Sequence, residues 1–274
     1  MKSSGPVEWI ERLREYTPWL HKNNLTKARP SGWSESKLGS YLENLTSNTI
    51  ATYARKSEAR RLHDINALLS HFAENASRVP NNMNLEILVP LMLFHRAHSA
   101  FKAAAALGLG GAITEAMPVQ RLCLECAGYA SITHGNFASA TGWLYRSDND
   151  QRKRAANNAL WNSQLRESLA GRDTNLAAYY QTLYERLIQF GAHPHELGVM
   201  SDMLLGRSKS GDDGIDYLPD TSVLLDSWLR AEGQVGWCIL KIFELLFPTE
   251  FRELGISQRI PQVSKGLNDS GYAV

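Results

Sequence analysis

Only three of the 274 residues are cysteine: Cys123, Cys126 and Cys238. So small and odd a number argues against a secreted disulfide framework and for a reducing compartment, with the cytoplasm the expected location. Charge of one sign is also lacking, since 29 basic and 28 acidic residues leave a formal net charge of +1. No global field draws the chain to nucleic acid or an anionic membrane surface, so such a partner would have to be met by a local patch. Long apolar runs are missing as well. The two most apolar stretches, 87–94 and 237–247, fall short of the roughly 20 residues that cross a bilayer, and the second carries Lys241 and Glu244. Both read as buried helix segments, and no membrane partner is expected. The opening MKSSGPVEWIERLREYTPWL places charges where an export signal needs an unbroken apolar core. The sequence also lacks a phosphate-binding P-loop, a dinucleotide fingerprint, a GxSxG elbow and an HExxH zinc helix.

What is present is helical periodicity, in a chain whose 43% apolar content can bury a sizeable core. Residues 1–34 read as an N-terminal helical arm and linker, 35–256 as one helical bundle domain, and 257–274 as a flexible tail. Within 55–76, Leu62, Ile65, Leu68, Leu69 and Phe72 fall on one helical face. The spacing predicts a central helix over 85–107, despite Pro90, and a glycine break at 108–111. A second long helix follows over 113–134, so the two should form an antiparallel hairpin. Residues 147–150, SDND, cap a polar helix through Leu169, and Asp173 opens another that ends near Phe190. The last strong helix covers 222–247, with a short helical piece near 250–254. Between 199 and 218, a polar, glycine-bearing insertion reads as a loop or a small β-hairpin. The expected fold is all-α, a bundle of about eight helices around the hairpin.

Several side chains carry possible chemistry. Arg121 and Glu125 are one helical turn apart, in the Arg-before-Glu order that gains little from local electrostatics, so beside the first reading, a structural ion pair, a tertiary contact in a functional site is the alternative. His193, Pro194, His195 and Glu196 put two imidazoles and a carboxylate together at an expected helix entry, where capping and surface polarity is the simplest reading and an anion site, a metal site or a general base are the alternatives. No second motif of metal spacing completes a zinc set, so no metal or cofactor is expected. His95 and His98, three apart, read as the polar stripe of the central helix, and His134 as a C-terminal residue favoured by the helix dipole. Cys123 and Cys126 have redox-motif spacing but sit within a predicted helix, where two small core side chains is the better reading. Basic residues from Arg146 to Arg172 mix with Trp143, Tyr145 and Trp161 and with balancing acids, which reads as a solvated face.

Two segments, AAALGLGGAITEAMPVQRLCLECAGYASI at 104–132 and YERLIQFGAHPHELG at 184–198, resemble a family of uncharacterised bacterial helical proteins. That resemblance implies a helical-bundle fold and singles out Arg121, Glu125, Tyr184 and His193 or His195. A more distant likeness is to the HEPN group of RNA-cleaving and nucleotide-binding helical domains, with Arg186 and His193 at the spacing of that group's signature. The leading expectation is a non-enzymatic binding or regulatory module. Its partner, a protein or small ligand, would occupy a polar groove lined by Arg121, Glu125, His193 and His195. The alternative is a metal-independent ribonuclease of a toxin or phage-defence system, with RNA as partner and Arg186 and His193 at the reacting phosphate.

Overall fold

The structure, a computed structural model, describes residues 31–33, 35–76, 84–145, 163–189 and 222–267. The fold is all-α: the described residues form ten helices and no strand. These are α1 (Lys37–Arg55), α2 (Ser57–Ala76), α3 (Leu85–Leu109), α4 (Ile113–Thr133), α5 (Phe137–Leu144), α6 (Ser163–Ala170), α7 (Thr174–Leu187), α8 (Ser222–Leu246), α9 (Pro248–Glu253) and α10 (Ile260–Ser264). The expected N-terminal helix, the cap at 147–150 and the β-hairpin near 199–218 lie outside the described residues.

The chain divides into two compact units, residues 1–42 and 43–274. In the first, Ser36 starts a helix: its hydroxyl accepts the Gly39 N–H at 2.8 Å and donates to the Trp33 carbonyl at 3.1 Å. The second holds everything that follows.

Its framework is the pair α3 and α4. Leu107 to Ala112 close α3 with two bonds, Ala112 N–H to the Leu107 carbonyl and Gly111 N–H to the Gly108 carbonyl. Gly111 sits between them at φ 100°, a left-handed helix stop that favours glycine. Asn48 pins the turn by donating to the Gly110 carbonyl at 3.1 Å. Pro90 lies inside α3 and has no N–H to offer the Glu86 carbonyl one turn back. The Gly135 N–H, just past the end of α4, supplies that missing donor at 3.2 Å. The start of α3 and the end of α4 are therefore tied together, and the two helices run antiparallel.

Helix α8 joins the rest, packing on α2, α3, α4, α7, α9 and α10. Its Trp228 is fully buried against Gly108, where an added Cβ would come within 2.1 Å of the indole ring. At the other end an aromatic cluster fills the space among α2, α3, α8 and α9. Phe72 lies 4.7 Å from both Phe94 and Phe251, and Phe94 lies 4.9 Å from Phe243. Such offset and edge contacts add to the burial of large apolar rings.

The stretch after Ser257, expected as a flexible tail, instead carries α10. Ile256, Ile260, Val263 and Leu267 are buried at helical intervals, and the Arg61 guanidinium donates to the Lys265 carbonyl at 2.9 Å. Apolar anchors hold this segment in place of an uncovered end, and residues 268–274 lie outside the described residues. Among the described residues no helix is long and apolar enough to cross a membrane.

Candidate functional site

Arg121 and Glu125 lie on α4, one turn apart, and both face α7. Arg121 Nε donates to Glu125 Oε1 at 2.8 Å, and Arg121 Nη2 donates to the Tyr184 hydroxyl at 3.1 Å. The same hydroxyl donates to Glu125 Oε1 at 3.2 Å, which closes a triangle across the two helices. The guanidinium carbon also lies 5.2 Å from the centre of the Tyr184 ring, within cation–π range. The side chains of Arg121 and Glu125 remain 19% and 28% exposed, so the triangle reaches the surface. Among the described residues, Arg121 Nη1 and Glu125 Oε2 make no hydrogen bond.

Local sequence explains the placement. Asp173 caps α7, its carboxylate accepting the Leu176 N–H at 3.0 Å, which starts a helix that buries Leu176, Ala177, Tyr180, Leu183, Tyr184 and Leu187. Gly128 lets both α6 and α7 approach α4: a Cβ there would meet Leu165 Cδ1 of α6 at 2.4 Å and the Tyr180 hydroxyl of α7 at 2.9 Å. Tyr180 is fully buried beneath Tyr184, their rings 6.0 Å apart and nearly parallel at 10°. Burial, and then the Glu125 charge, push the Tyr184 phenol above its ordinary range, against the pull of Arg121. Burial alone would lower Arg121, but Glu125 and Tyr184 outweigh it, so the guanidinium stays charged.

The remaining sequence candidates fall elsewhere or outside. His193 and His195 lie outside the described residues. Arg186 is on α7, but its Nη1 donates to Gln234 Oε1 at 3.0 Å, and Gln234 in turn donates to the Leu267 carbonyl at 3.1 Å. This contact is separate from the triangle. Cys123 and Cys126 are buried thiols of α4, as the helix reading had it, and burial pushes Cys123 well above its ordinary pKa. His134 is the C-terminal cap of α4, its ring edge-on to Phe247 at 5.0 Å. Much of the basic and aromatic stretch, including Arg152, Lys153, Arg154 and Trp161, lies outside the described residues. Among the described residues, no three His, Cys, Asp or Glu side chains gather in a group that could hold a metal.

The polar-stripe reading of His98 is corrected by its burial. Its Nε2 lies 2.9 Å from Asn66 Oδ1 and 3.4 Å from Ser70 Oγ, both on α2, so the ring donates from Nε2 across the interface. Burial, then Lys102 and His95, push its pKa down to about 4.

Sequence reading also passed over Glu232 on α8. It is fully buried, and among the described residues neither carboxylate oxygen has a hydrogen bond. Burial pushes its pKa up to about 8, and nearby Gln120, itself buried without closing a bond of normal geometry, offsets only part of this. The available signal was its position one turn after Trp228 and one turn before Gly236, on the apolar side of α8.

No family model, no curated protein and no solved structure matches this chain.

Proposed function

We propose that the chain is a cytoplasmic, non-enzymatic binding or regulatory module whose partner, a protein or small ligand, docks where Arg121, Glu125 and Tyr184 meet. The supporting observation is the closed triangle itself. Guanidinium, carboxylate and phenol immobilise one another, while Arg121 Nη1 and Glu125 Oε2 stay uncommitted among the described residues. A fixed donor beside a fixed acceptor matches an amide, a carboxamide or a similar ligand edge, and its order is in place before binding. The proposal keeps His193 and His195, which follow α7 closely in sequence, as further ligand-binding residues. The resemblance to bacterial helical proteins supports the same choice, since it marks Arg121, Glu125 and Tyr184 together. A ribonuclease role draws no support from Arg186, one of whose donors is engaged by Gln234.

A thermal-shift screen of small carboxamides and short peptides, followed by titration calorimetry on the hits, tests the proposal. Ligands of this site bind the wild type and lose affinity for Glu125→Ala; indifference of every ligand to that change would refute it. Cleavage of total RNA by the wild type but not by His193→Ala would replace it with the nuclease reading.

A further inference from the structure

A concavity lies at the aromatic end of the molecule, where α2 and α3 meet α9. Its volume is about 280 Å³, at the small end for ligand sites. The floor is apolar: Phe72 and Phe247 supply two ring surfaces, flanked by Ile87, Leu91 and Leu254. The polar lining comes from Asn75, Glu250 and Glu253. Its character is one-sided. One of the two Asn75 amide N–H groups is held by the His71 carbonyl at 2.8 Å, and the amide oxygen is an acceptor. Glu250 and Glu253 are exposed carboxylates one turn apart, and among the described residues neither is held in an ion pair. The side chains around the cavity therefore offer acceptors and negative charge beside an apolar floor, with no Lys or Arg in the lining.

We infer that this cavity binds a small amphiphilic primary amine. The aliphatic or aromatic tail lies on Phe72, Leu91 and Phe247, and the ammonium group is held at the mouth by Glu250, Glu253 and the Asn75 oxygen. An ammonium has three donors and no acceptor, the complement of this lining. A carboxylate of the same length would bring its charge against two others. A neutral alcohol would gain the floor but not the charge at the mouth. This site is independent of the Arg121 triangle, which is built on α4 and α7.

The test titrates the full chain with octylammonium, octanoate and octanol, followed by calorimetry and by the shift in melting temperature. Octylammonium is expected to bind saturably at one site, with octanol weaker and octanoate showing no saturable binding. The double variant Glu250→Gln/Glu253→Gln changes exposed side chains and should fold as the wild type does, as circular dichroism would verify. It is expected to bind octylammonium roughly tenfold more weakly, with octanol affinity unchanged. Ala76→Leu, which fills the cavity from its partly exposed wall, should weaken all saturable binding. Equal affinity of octanoate and octylammonium, undiminished affinity in the double variant, or no saturable binding of octylammonium to the wild type would each overturn the inference.

Discussion

Replacing the buried carboxyl of Glu232 with the neutral amide of glutamine should make the protein more stable at neutral pH. In the folded chain the acid holds its proton up to about pH 8, whereas in the unfolded chain it releases it near 4.5. Above 4.5 the folded state therefore binds one more proton than the unfolded state, so stability falls as pH rises toward 8. At 1.36 kcal/mol per pKa unit, the accumulated cost near pH 7.5 is about 4 kcal/mol. Glu232→Gln removes that cost and should be nearly neutral at about pH 4, where both states of the wild-type acid are protonated. His98 acts in the opposite sense, because its folded pKa is pushed down to about 4 from 6.5. Its contribution is complete above 6.5 and is lost as pH falls toward 4. Below 6.5 the Glu232 slope is opposed by His98 and by His95 and His134, which burial also pushes down, so the wild type should show no decline until 6.5 and a decline between 6.5 and 8. Urea unfolding followed by far-ultraviolet circular dichroism across this range measures the effect. Glu232→Gln should be flat above 6.5 and lose stability below it. If that variant keeps the wild-type decline between 6.5 and 8, Glu232 is not the group responsible and the reasoning fails.

His98→Gln should gain less stability than the wild type as pH rises from 4.5 to 6.5, and an unchanged slope there would refute its part. Tyr184→Phe deletes the hydroxyl shared by Arg121 and Glu125 and should cost about 1–2 kcal/mol. A double-mutant cycle with Glu125→Gln should reveal coupling of at least about 0.5 kcal/mol, and strict additivity would mean the triangle is not a unit. Gly108→Ala drives a Cβ to 2.1 Å from the Trp228 ring and should destabilise by about 2 kcal/mol or more, read as a lower melting temperature. Gly142→Ala, with open space around its Cβ in α5, is the matched control, expected to be neutral or stabilising. The buried thiols Cys123, Cys126 and Cys238 should react with a disulfide reagent only on unfolding; rapid modification of any of them in the native protein would contradict their burial.

Much of the backbone was readable in advance because its punctuation is local. Gly111 stops α3, Asp173 caps α7, and the apolar spacing of 222–247 extends across α8, so these boundaries required no knowledge of neighbours. The segment after Ser257 was harder. Its anchors Ile256, Ile260, Val263 and Leu267 are interrupted by Pro261 and Gly266, and only contact with the rest of the fold shows them buried. Tertiary context likewise decided His98, which looks amphipathic along α3 but faces Asn66 and Ser70 of α2. Arg121 and Glu125 could be paired from their spacing, yet a distant tyrosine completes their site, and periodicity does not set which helix faces which. Glu232 illustrates the same limit: a carboxyl within a helix ordinarily turns to water, and its burial follows from what packs around α8.

The position of α8 bears on how the protein can be made. The apolar faces of α2, α3 and α4 emerge from the ribosome long before the helix that covers them, and Gly108 waits for an indole more than a hundred positions downstream. During synthesis the early helices can pair locally but must keep a sticky surface open, the state in which nascent chains aggregate or recruit chaperones. A chain halted before residue 222 should therefore be retained by such helpers or precipitate, while synthesis past α8 supplies the one late helix that closes the interior.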